Sequence, residues 1–280
     1  MARTSVDHEP VAHVPPTDSA NKNKELKDVR RAPSHSRLRT FRVIAAIMAM
    51  SGVAFGLFTA VFGIVSEAQE IHAFHNVVVA ALLLVLSAPP AIAAARAPDR
   101  AAGPLLHLVA VSVAGLITMV LGLRVDIFTL PFIVLVGVLL MLQRPRVPAL
   151  AVGRLSPSLA VLVAVAVLPL VIYALEQAEL QRIDFSSEHA EFNHWVEMSF
   201  YALAVLLLGL MAALRPVAYR LTAWCAGLGL AILGGASLAL GPYASALDPL
   251  WAWAALIGGL VFVSVAEWER LRSPSPGAHR

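Results

Sequence analysis

A single cysteine, Cys225, in 280 residues leaves no partner for an intrachain disulfide, and it excludes thiolate metal clusters and dithiol redox chemistry as well. Charge is almost as scarce. Asp, Glu, Lys and Arg make up 14% of the chain against 59% hydrophobic residues, and the mean hydropathy of +0.76 rules out an ordinary soluble domain. Also missing are a glycine-rich phosphate loop, a nucleophile elbow and a zinc-protease motif, which removes support for ATP-driven transport and serine hydrolysis. No cleavable signal is expected. Arg30-Arg31 superficially matches a twin-arginine signal, but a full-length apolar segment follows it with no small-residue cleavage site.

What is present is a series of apolar runs. A helix needs about 20 apolar residues to cross the hydrocarbon core, and eight segments are candidates: 41–65, 71–95, 103–123, 127–143, 157–176, 191–214, 217–240 and 249–268, of which the fourth is the shortest. Lys and Arg fix the orientation, because cytoplasmic loops retain positive charge. With the amino terminus inside, nineteen of the 21 basic residues fall in the tails or inner loops, and only Arg124 and Arg182 lie outside. Ten of the 18 acids gather at the outer face. The expected protein is therefore integral to the cell (plasma or inner) membrane, with both termini cytoplasmic. A pI near 9.3 does not imply nucleic-acid binding, since the basic residues are spread over the short loops and tail that insertion requires.

Sliding the chain on itself by 118 residues places Glu70 on Glu188 and Phe74 on Phe192, and sets His75-Asn76 against Asn193-His194. An offset of four spans preserves orientation, so the expected fold is all-α and polytopic: eight transmembrane helices as two similar four-helix halves, a parallel 4+4 repeat. The domains are then a disordered cytoplasmic tail (1–40), a first half (41–150), a second half (151–270) and a short tail (271–280). Ser156-Pro157 reads as the cap and first position of the fifth span. Pro169 and Pro89-Pro90 predict kinks, and Trp195, Trp251, Trp253 and Trp268 fit interfacial belts.

The chemistry-bearing residues stand at the outer ends of the second and sixth spans: Glu67, Glu70, His72 and His75 in the first copy, and Glu188, His189, Glu191, His194 and Glu197 in the second. Helical residues three apart lie about 60° from each other around the axis, so His72 can sit beside His75, and Glu191 beside His194. Imidazole plus carboxylate suits zinc, iron or copper. The metal ligands expected are therefore His72, His75, Glu191 and His194, with Glu70, Glu188, His189 and Glu197 orienting imidazoles or relaying protons. Haem is the other version, with His75 and His194 as axial ligands and Phe74 and Phe192 as walls. Each residue alone also fits a wetted interfacial position. Glu197 argues against that reading, because a carboxylate more than a turn into a span is costly unless paired or hydrated. Arg124 and Asp126 are expected to pair in an outer loop, and His107 to be an interfacial or packed histidine.

Eight spans in two halves, with Glu191-x-x-His194 opening the second helix of a half, resemble the architecture of haem A synthase. The resemblance implies haem held by histidines on the second and fourth helices of each half, near an outer-face glutamate. Glu191 with His194, and more loosely Glu70 with His75, match that pattern. The fourth and eighth spans contain no histidine, so half of that ligand set is missing and no activity is carried over.

Three readings result. The first is a metal or haem centre supporting redox chemistry or metal handling. The second is a proton- or cation-coupled small-solute permease, and the third a structural subunit or assembly factor. Apart from the lipid bilayer, the partners left open are other membrane proteins or further copies of the chain.

Overall fold

The computed structural model describes residues 34–65, 72–143, 153–184, 187–216, 219–241 and 243–272. The tails expected at 1–40 and 271–280 fall largely outside the described residues, and helix already begins at His35. Among the described residues every regular element is helical: α1 (His35–Val65), α2 (Ala73–Arg96), α3 (Ala102–Gly122), α4 (Thr129–Gln143), α5 (Pro157–Ile183), α6 (His194–Leu214), α7 (Tyr219–Leu240) and α8 (Pro249–Arg272), with one helical turn at Glu188–Glu191 before α6. Seven are long and apolar enough to cross a membrane, as fits an integral membrane protein. The fourth expected span differs: α4 has 15 residues, about 22 Å of helix at 1.5 Å per residue, which is short of a core about 30 Å thick.

The helices share two cores. Phe41, Leu105, Leu108 and Leu139 join α1, α3 and α4 against the carboxyl-terminal part of α2. Phe74, Met198, Tyr201, Leu208 and Leu233 join α2, α3 and α5 to α8. Helix α6 is the most enclosed, with 72% of its apolar stretch buried against 22% for α8. It is thus the least free to move. Lipid offers apolar contacts as good as leucine, so close packing and internal hydrogen bonds hold such helices together. Gly227 and Gly259 show the packing: a Cβ on either would run into the backbone of the facing helix, α8 or α7.

The Pro89-Pro90 pair shows how the fold deals with lost hydrogen bonds. Proline has no N–H, so Pro90 leaves the carbonyl of Leu86 without its helical donor. Residues Leu82–Ser87 widen into a π turn, and Ala88 N–H donates five residues back to Leu83 O. His107 of α3 completes the repair. Its Nε2–H donates to Leu86 O at 2.8 Å, while its Nδ1 lies 3.2 Å from Thr222 Oγ1 of α7 and accepts from it. His107 is fully buried, so it is a packed histidine and not an interfacial one.

Asp126 is likewise corrected. It accepts from Phe128 N (3.2 Å), Thr129 N (2.8 Å) and Thr129 Oγ1, which makes it the cap of α4 and not a partner for Arg124. At the opposite end of the bundle, Ser156 caps α5 through Leu159 N and donates to Glu269, which also binds Arg215. Those contacts tie α5, α6 and α8 together. Arg37 of α1 reaches Met141 O, and Gln143 reaches Pro98 O, so α4 ends on the side where α1 begins.

Replacing His107 by Leu should leave Leu86 O and Thr222 without partners in apolar surroundings and cost about 1–3 kcal/mol. Chemical denaturation in detergent measures this, and an unchanged midpoint would show that the imidazole repairs nothing.

Candidate metal centre

Four histidines from three chain segments converge at one end of the bundle. His72 is the residue before α2, with φ −106° and ψ −1°, and His75 is on the first turn of that helix. His189 lies on the helical turn Glu188–Glu191, and His194 opens α6. One ring nitrogen from each can be chosen so that all four lie within 4.8 Å of one another. Ring centroids are 4.7 Å apart for His72 and His189, 4.8 Å for His72 and His194, 4.9 Å for His75 and His189, and 5.1 Å for His75 and His194. His72 and His75 are buried, and His189 and His194 are half-buried.

His189 was expected behind the ligands, but its imidazole converges with those of His72, His75 and His194, and the backbone explains why. Asn193 adopts a left-handed conformation (φ 61°, ψ 23°), which ends the turn at Glu191 before α6 begins. Asn tolerates that region better than most side chains. The line Glu191–His194–Glu197 expected on one continuous helix is therefore broken. Gln181 of α5 donates from Nε2 to Ala190 O at 2.8 Å and pins the turn, while His189 stacks on Trp195 (centroids 4.9 Å, 22° between planes). Trp195, expected in an interfacial belt, is 4% exposed and forms the floor under His189.

The other expected residues are placed as follows. Glu191 is exposed and is not one of the four converging groups. Glu67, Glu70 and the side chain of Glu188 lie outside the described residues. Glu197 is half-buried on α6, with Asp126 as its charged neighbour. Phe74 is buried with its ring edge-on to His75, whereas Phe192 is exposed and stacks on His194.

A second layer fixes one imidazole. His75 Nε2 lies 3.1 Å from Ser245 Oγ, and Ser245 Oγ donates to Gln177 Oε1 at 2.8 Å. A hydroxyl has one proton. Because Ser245 gives its proton to Gln177, it accepts from His75 Nε2–H, and the lone pair of His75 sits on Nδ1. Tyr173 holds the loop in place by donating to Ser245 O at 2.8 Å. His75 Nδ1 and His194 Nδ1 are both buried with no hydrogen-bond partner. Buried ring nitrogens that make no hydrogen bond are available to a metal ion, and a hydrogen bond on the other ring nitrogen, as His75 has, is how ligating histidines are held.

Ser245 and Gln177 were not anticipated. Tyr173 and Gln177 are four residues apart in an apolar run, hence on one face of α5, so that polar stripe was readable. The loop position of Ser245 carries no such signal. Neither a protein-family model, nor a curated protein, nor a solved structure matches the chain.

Asn193→Val should strain the junction by about 1–2 kcal/mol, since a β-branched residue is disfavoured at positive φ. Asn193→Gly should be tolerated. Thermal unfolding in detergent compares them, and equal stability of the two would contradict this role for the Asn193 conformation.

Proposed function

We propose that this integral membrane protein holds one transition-metal ion, of the zinc, iron or copper type, on His72, His75, His189 and His194 at the extracytoplasmic face of the cell membrane, for redox chemistry or metal handling. The observation that carries the reading is the convergence of four imidazoles, two of which have a buried Nδ1 with no hydrogen-bond partner. Imidazole nitrogens suit these metals, and four of them complete a tetrahedral shell. Such a shell leaves no open position for a water nucleophile, which favours electron transfer or ion holding over hydrolysis. Acids concentrated at the same end of the bundle, Glu191 among them, would attract cations to it.

Bare metal is favoured over haem. Axial imidazoles must face each other across the plane of the macrocycle, and here His72 and His189 crowd the space between and beside His75 and His194. The orientation, with both termini cytoplasmic, rests on the distribution of Lys and Arg. An eighth crossing by α4 is supported by the contacts of Arg37 and Gln143 near its end. The 4+4 repeat is supported by helix starts: α5 to α8 begin 122, 121, 117 and 120 residues after α1 to α4.

Purified from metal-replete cells, the protein should carry about one ion per chain, and the His75→Ala/His194→Ala variant almost none. Ser245→Ala should weaken binding about 10–100-fold, as loss of a supporting hydrogen bond does, whereas Glu191→Ala should leave affinity unchanged. Binding should also weaken on acidification, because a protonated imidazole cannot ligate. A wild type with no metal and no visible absorption would overturn the proposal.

A further inference from the structure

A cavity of about 540 Å³ runs between α5, α6, α7 and α8, next to the loop that carries Ser245. Its wall follows α5 from Leu162 to Gln177, 16 residues and about 22 Å of helix. A slot this long and lined mainly by apolar side chains suits one extended hydrocarbon chain. Val165, Leu168 and Ile172 line the slot and are also 72, 66 and 46% exposed, so it opens sideways toward the bilayer.

Polarity is confined to one end. Gln177, which is 3% exposed, lines the slot there and accepts from Ser245 through Oε1, so its amide nitrogen is the group left to meet an occupant. Glu176 and Asp248 sit at the same end, and both are exposed. Their negative charge repels a carboxylate or phosphate head, while the Gln177 amide suits a neutral oxygen acceptor.

We propose that the slot binds a single-chain lipid with a neutral carbonyl or hydroxyl head, the head on Gln177 and the chain lying along α5. The site is distinct from the histidine cluster, although only Gln177 and Ser245 separate the head from His75.

The test uses full-length protein in detergent with a diazirine-bearing monoacylglycerol, and a diazirine-bearing fatty acid of the same chain length for comparison. The adduct should map to slot-lining peptides of α5 or α8, be displaced by excess unlabelled monoacylglycerol, and exceed that from the fatty acid. Gly258 lines the slot, and the nearest atom to an added Cβ there is 3.9 Å away. Gly258→Leu has room for its Cβ and should take up slot volume, reducing labelling about tenfold, as expected when roughly two methylenes can no longer be buried. Gln177→Leu should erase the preference for the neutral head. Labelling unaffected by Gly258→Leu, or as strong on the exposed face of α1 as in the slot, would overturn the proposal by showing ordinary boundary lipid. Metal content of Gly258→Leu equal to wild type shows that the variant is folded. A protein that labels in the slot yet never binds metal would refute the metal reading and leave this one standing.

Discussion

Within hydrocarbon a polar group that lacks a protein partner has no water to replace it, and this constraint organises the whole molecule. It explains why His107 lies against the π turn of α2, why Asp126 folds onto the start of α4, and why Tyr201 donates to Gly229 O at 2.8 Å across the centre of the bundle. In each case a buried polar side chain finds a backbone or side-chain partner within the protein. Against that background the exceptions are informative. Among the described residues, and apart from Arg215 Nε, the unpartnered buried side-chain atoms, such as those of His75, His194, Asn193 and Ser199, cluster at the end where α2 and α6 begin.

Among the described residues, most buried polar groups elsewhere are satisfied, while imidazole nitrogens of His75 and His194 are left without hydrogen bonds in one place. The surrounding structure keeps them there. His194 rides on the most enclosed helix, His75 is held by Ser245, and His189 is clamped between Trp195 and a turn that Gln181 fixes. Three separate segments therefore meet with little freedom. A site assembled from rigid supports needs less rearrangement to bind an ion than one carried on loops.

Much of this was legible in the sequence. Composition and run length yield the membrane class and, among eight expected spans, the seven long helices, because spanning requires both. The two histidine-bearing helix starts were also visible, and three of the four converging imidazoles, His72, His75 and His194, were among the candidate ligands. The fourth member was not. Helical spacing favoured Glu191 over His189 on the assumption that residues 191–197 form one helix, and the left-handed Asn193 defeats that assumption by tertiary means. Asp126 was misplaced for a related reason: a charge pair with Arg124 is the simpler reading of a loop, and only the start of α4 shows that the carboxylate caps a helix. Ser245 comes from 170 residues beyond its partner His75, a distance no local pattern bridges.

The most direct test of the four-histidine centre is X-ray absorption on the metal-loaded protein in detergent. The arrangement predicts a first shell of nitrogen only, at about 2.0–2.1 Å for zinc, with the outer-shell scattering of four imidazoles and no sulfur. A shell dominated by oxygen, or one containing two imidazoles or fewer, would contradict it.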